Sequence, residues 1–167
     1  TDVRKDLSVP KLPFVIGVMG IGGTIADQSQ AKSIDGIEFR KAMAAPVDLP
    51  QFKGQGVAVR TGEFWDFEID KFERVEHKHI RKFKIEFEKK KNVVWKELQR
   101  SERHQFWKEQ AEYVKKRMIE VCAEKLPGVD VAKLMMAKAN AGYHYHGCGK
   151  TIARIGEAFG KAMISLK

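Results

Sequence analysis

The residues best suited to chemistry lie in one short stretch, Asn140-Ala141-Gly142-Tyr143-His144-Tyr145-His146-Gly147-Cys148-Gly149. An imidazole in a loop just ahead of a packed helix is held rigidly and can exchange a proton near neutral pH. His144 is therefore a candidate general base. At i and i+2, His144 and His146 could instead bind a metal. A zinc site needs two further ligands, however, and no Cys or carboxylate stands nearby at a usual spacing. No metal is expected. His77 and His79 form a similar pair inside a highly charged helical stretch and read as surface residues.

Glycine supplies the second candidate. Gly17-Val18-Met19-Gly20-Ile21-Gly22-Gly23-Thr24 follows an apolar run, as a phosphate-binding loop would. Such a loop needs Lys in its penultimate position to reach the terminal phosphates, and here that position is Gly23. The glycine spacing also fails the dinucleotide fingerprint. Gly20, Gly22 and Gly23 are better read as a tight loop at the carboxyl edge of a sheet, where α/β proteins bind ligands. Gly149-Lys150-Thr151 resembles the end of a phosphate loop too, but the first glycine would fall at His144 and no strand precedes it.

The elements that must carry these residues fall into three zones, about 1–63, 64–126 and 127–167. In the first, Leu12 to Met19 is a continuous apolar run, as in a strand buried on both faces of a parallel sheet. Ile37 to Ala44 predicts a helix stopped by Pro46, and Gly56 to Thr61 a second strand. The second zone is about half charged, with apolar residues at helical spacing. It predicts a long helical hairpin packed through Phe83, Phe87, Trp95, Trp107 and Tyr113, its second helix capped near Ser101 to His104. In the third, Val131 to Ala137 is a short helix. Thr151 to Leu166 is an amphipathic one, with Ile152, Ile155, Phe159, Ala162 and Met163 on one stripe. Two parallel strands are fewer than the roughly five of a doubly wound sheet. The expectation is therefore a fragment whose remaining strands lie outside these residues.

Composition narrows the partners. The 167 residues carry a net charge of +9, but the 31 bases are interleaved with 22 acids, the pattern of solvated helix faces and not of a nucleic-acid patch. No apolar run reaches the length of a membrane span. Two cysteines are too few for a disulfide framework.

Three stretches carry a resemblance. Leu12-Pro13-Phe14-Val15-Ile16-Gly17-Val18-Met19-Gly20, then Phe39-Arg40-Lys41-Ala42-Met43-Ala44-Ala45-Pro46 with Phe52-Lys53-Gly54, resemble successive blocks of the sialate O-acetylesterase-like domain, a relative of carbohydrate esterase family six. Gly142-Tyr143-His144-Tyr145 with Ile155-Gly156-Glu157-Ala158-Phe159-Gly160-Lys161-Ala162-Met163 is similar to that domain's closing histidine block and last helix. The likeness covers both ends of the chain and the middle loosely. It implies the C-terminal part of an SGNH-type three-layer α/β/α hydrolase, flavodoxin-like in its sheet, with a charged helical insertion. It also implies an acetylated carbohydrate as substrate, no cofactor, and a secreted or periplasmic setting.

By that resemblance His144 is the general base; Gly20, Gly22 and Gly23 at the sheet edge, with Tyr143, are the expected substrate contacts. The nucleophilic serine of the family lies in a Gly-Gln-Ser-Asn motif, which this sequence lacks. Gln28-Ser29-Gln30 has neither the glycine nor the asparagine, so the serine and oxyanion blocks are expected in a missing N-terminal part of the same domain. Asp commonly stands three residues before the histidine, where this chain has Ala141. A backbone carbonyl, or a carboxylate such as Asp66, would have to orient the imidazole instead. Two rival readings remain: a non-catalytic carbohydrate-binding or scaffold protein of this fold, which Ala141 favours, and a basic helical nucleic-acid-binding module. The latter requires Lys89-Lys90-Lys91 to form one face with Lys115-Lys116-Arg117.

Overall fold

The computed structural model describes residues 2–24, 26 and 34–166, so Gln28-Ser29-Gln30 lies outside the described residues. Its regular elements are α1 (Asp2–Asp6), β1 (Phe14–Val18), α2 (Ile34–Ala44), β2 (Gly56–Arg60), α3 (Phe67–Lys91), α4 (Arg100–Lys125), α5 (Val131–Ala137) and α6 (Gly149–Ser165), joined in places by short 3-10 turns. The protein is broadly α/β, mostly helical with a small two-strand parallel sheet. It divides into two compact units, Thr1–Phe67 with Asn140–Lys167, and Glu68–Ala139.

In the α/β unit, β1 and β2 run parallel, in register from Phe14 opposite Gly56 to Val18 opposite Arg60. Partners across a strand pair share a face, so Phe14, Ile16 and Val18 lie with Gly56, Ala58 and Arg60. Val15 and Gly17 lie with Val57 and Val59 on the other. Helix α6 packs on this second face. The missing side chain at Gly17 makes room for it, since a Cβ there would stand 2.7 Å from the tip of the Phe159 ring. On the first face, Val47 of the turn after α2 closes over Gly56. Pro46 falls within that turn (Ala45–Asp48) and ends α2, as its missing N–H predicts. At the opposite end of the strands from the histidine loop, Arg4 of α1 donates from Nε and Nη2 to the Leu12 carbonyl, 3.0 and 2.8 Å.

Two sequence expectations need correction here. The strands are not buried on both faces: in β1 only Val18 is fully buried, and Phe14 is exposed. A sheet of two strands is all edge, and single helices cannot cover it. In α6, Ile155, Phe159 and Ala162 turn inward as expected, but Ile152 and Met163 are exposed. The side of the helix facing the sheet is narrower than the apolar stripe.

The helical unit is an antiparallel hairpin of α3 and α4 with α5 added. Phe87 of α3 meets Phe106 and Tyr113 of α4, with ring centroids 5.3 and 5.5 Å apart, while Phe83, a turn earlier, lies under Arg117, a turn later. Asn92, at φ 53, reverses the chain after α3, a left-handed position that Asn tolerates at a helix end. Helix α4 starts at Arg100, and Glu102 accepts the Gln99 N–H at 2.9 Å. The capping residue is therefore Gln99 and not the Ser101 stretch. The α4 seam repeats every four residues: Phe106, Gln110, Val114, Met118 and Cys122 are buried. Trp107 lies one position off this stripe and is half exposed, stacked loosely on Trp95 outside the seam. Phe106 therefore takes the role expected of Trp107. Helix α5 packs on α4 and buries Val131 and Leu134. Lys138, just beyond it, is held between Glu73 (3.3 Å) and Glu76.

Candidate active site at the carboxyl ends of the strands

Both strands end in glycine turns that cross each other. Gly20 follows β1, and a Cβ on it would overlap the backbone of Thr61 and Gly62 beyond β2. A Cβ on Gly62 would in turn overlap the Gly23 carbonyl. Only glycine lets these two chains approach so closely. Arg40 braces the crossing from α2. Its guanidinium is buried and donates to the Gly23 carbonyl at 2.6 Å and to the Ile21 carbonyl. Burial pushes this guanidinium below its ordinary value, while nearby Tyr145 opposes the shift.

The histidine loop docks onto this edge through Tyr145. The Gly20 N–H donates to the Tyr145 phenol at 2.8 Å, and the phenol is hydrogen-bonded to Thr61 Oγ1, which donates to the Val18 carbonyl at 2.7 Å. The loop is also closed on itself. His146 N–H donates to the Ala141 carbonyl (3.1 Å), and Asn140 N–H to the His146 carbonyl (2.8 Å). Three successive residues, Tyr145, His146 and Gly147, stand at positive φ (52, 59 and 63). For the two non-glycine residues this costs on the order of 1 kcal/mol each. His146 is fully buried against Trp65, ring centroids 4.5 Å apart.

The candidate residues separate accordingly. His144 is exposed on the loop tied to the strand ends, on the same edge as Gly20 to Gly23, and Tyr143, also exposed, packs edge-on against it at 4.3 Å. Gly20 and Gly23 are buried, and their amides are engaged, Gly20 by Tyr145 and Gly23 by the Gly20 carbonyl. Gly22 is partly exposed at φ 80. Ala141 accepts the His144 backbone N–H at 3.0 Å; among the described residues no carboxylate is hydrogen-bonded to the His144 ring.

Sequence reasoning missed Arg40, Thr61, Gly62 and Tyr145. A signal existed for Gly62: like Gly20, it is a glycine directly after a strand. In the helical unit, Lys91 is paired with Glu109 and Arg117 with Glu86 and Glu120, so each of the two basic runs is interleaved with acids. Compared with known proteins, the chain matches no family model, no curated protein and no solved structure.

Proposed function

We propose that this chain is the C-terminal part of an SGNH-type carbohydrate O-acetylesterase with His144 as its general base. One observation carries the reading: an exposed imidazole stands on a strained, tightly closed loop tied to the carboxyl ends of two parallel strands. Carboxyl ends of strands are where α/β proteins bind ligands, and backbone strain concentrates at functional sites. In the proposed reaction His144 takes the proton of a serine hydroxyl as that oxygen attacks the acetyl carbonyl. It then returns the proton to the departing sugar oxygen. The serine, with the remaining strands of a three-layer sheet, would come from polypeptide preceding Thr1. Gly20, Gly22 and Gly23 would shape the edge that receives the substrate, and the open face of Tyr143 would lie beside the sugar.

The second reading, a non-catalytic binding protein of the same fold, draws on Ala141 and on the absence, among the described residues, of a carboxylate hydrogen-bonded to the His144 ring. Hydrolysis of p-nitrophenyl acetate separates the two. The 167-residue chain should be inert, because it holds a base without a nucleophile, and turnover well above a heat-treated control would sink the fragment reading. In the polypeptide extended to include the serine block, His144→Ala should lower kcat by on the order of 10³. His77→Ala, at an exposed histidine of the helical unit, is the control and should leave kcat unchanged. His146 cannot serve, since it is fully buried and its loss would damage the fold. An extended polypeptide with no activity at all would favour the binding protein, whereas one whose His144→Ala variant keeps full activity would overturn His144 as the base.

A further inference from the structure

The hydroxyls that join the histidine loop to the sheet carry a defined direction of donation. Thr61 has one hydroxyl hydrogen, and at 2.7 Å it is committed to the Val18 carbonyl. The hydrogen between Thr61 Oγ1 and Tyr145 must therefore come from the phenol, which in turn accepts from the Gly20 N–H. The result is a single directed chain: Gly20 N–H to Tyr145 Oη, Tyr145 O–H to Thr61 Oγ1, Thr61 O–H to the last carbonyl of β1. It links the end of β1, the turn after β2 and the residue next to His144. Trp65 meets the Tyr145 ring edge-on at 5.9 Å and fixes its other side.

We propose that Tyr145 is the positioning residue for His144, doing through the backbone what a carboxylate on the imidazole would otherwise do. This rests on the esterase reading for its catalytic consequence but not for its physical content. The position expected to hold the acid is Ala141, and its carbonyl is spent on the backbone N–H groups of His144 and His146. Meanwhile Tyr145 and His146 stay at positive φ, a state that persists only where surrounding contacts over-determine it. The phenol contacts are of that kind. Without them the loop would relax toward ordinary backbone angles and carry His144 with it.

The test uses Tyr145→Phe, which keeps the ring against Trp65 and removes the oxygen. In the 167-residue chain, hydrogen exchange at the Gly20 amide should accelerate about tenfold or more, the loss of one hydrogen bond. The backbone order parameter of His144 should fall from about 0.85 to below about 0.6. Thr61→Val should reproduce both changes, and Thr61→Ser, which keeps the hydroxyl, should restore wild-type values. In the extended, active polypeptide, Tyr145→Phe should lower kcat by about 10- to 100-fold with KM unchanged. Unchanged Gly20 exchange and His144 order in both Tyr145→Phe and Thr61→Val would overturn the proposal; if Tyr145→Phe fails to fold, the Thr61 pair decides it alone. Because exchange and order need no catalysis, an inactive enzyme with a responsive loop refutes the esterase reading and leaves the positioning role standing. An active enzyme with an indifferent loop does the reverse.

Discussion

In the α/β unit the closest approaches are between backbones, whereas in the helical unit they are between side chains. Gly20, Gly62 and Gly23 cross with no room for a single methyl group, and the turns they form are tied by carbonyls and amides to Arg40 and Tyr145. In the hairpin, Phe83, Phe87, Phe106 and Met118 interlock along a four-residue repeat, with charged pairs at its margins. A seam of side chains tolerates volume-conserving change, because rotamers can adjust. A crossing of main chains tolerates none, and it is onto this unyielding edge that the histidine loop docks through Tyr145.

The contrast is broken most directly at Gly20. Gly20→Ala forces a Cβ into the Thr61–Gly62 backbone, which cannot move aside without opening the strand pair. The expected loss is on the order of 4 kcal/mol, enough to melt the α/β unit. Site-resolved hydrogen exchange should show protection lost through β1, β2 and α6 while α4 keeps its own. Retained protection in β1 would mean the crossing is softer than the geometry requires.

A smaller effect sharpens the other side. Phe106→Ala should cost the hairpin about 3 kcal/mol as a buried aromatic, and Trp107→Ala, half exposed next to it, under about 1 kcal/mol. Urea unfolding monitored by far-ultraviolet circular dichroism reads both. Equal costs would return Trp107 to the seam.

The smallest effect is a pH slope. Burial, and secondarily the Glu76 carboxylate, pushes the Cys122 thiol above its ordinary value. The folded thiol thus keeps its proton at alkaline pH while that of the unfolded chain ionises near about 8.5, so stability is intact below that pH and falls above it. The slope from this one group is at most about 1.4 kcal/mol per pH unit. Cys122→Ala should remove it between pH 8.5 and 10; parallel wild-type and variant curves would rule it out.

These differences also mark what the sequence could disclose. The strands at Phe14–Val18 and Gly56–Arg60 were legible as short continuous apolar runs, and both hairpin helices because their apolar residues recur at helical spacing. The choice of Trp107 over Phe106 failed by one residue, since two adjacent aromatics on a helix leave its phase undecided until the partner helix is known. The loop that carries His144 was legible as a loop. Its anchor was not: Tyr145 reaches Thr61 across 84 positions and Gly20 across 125, and nothing local distinguishes it from Tyr143. Arg40 was hidden for the same reason, a cation whose partners are carbonyls and not acids.

The two cysteines are both free and buried, and they fall one to each unit, Cys148 at the start of α6 and Cys122 in the α4 seam. A thiol reagent in solution can reach neither until its surroundings open. Each sulfur is thus a covalent timer for its own unit, started by adding reagent and read by mass spectrometry on the labelled peptides. Gly20→Ala should speed the Cys148 timer and leave that of Cys122 alone, and Phe106→Ala should do the opposite. The unmodified chain thereby reports how often each half breathes, with no probe attached beforehand.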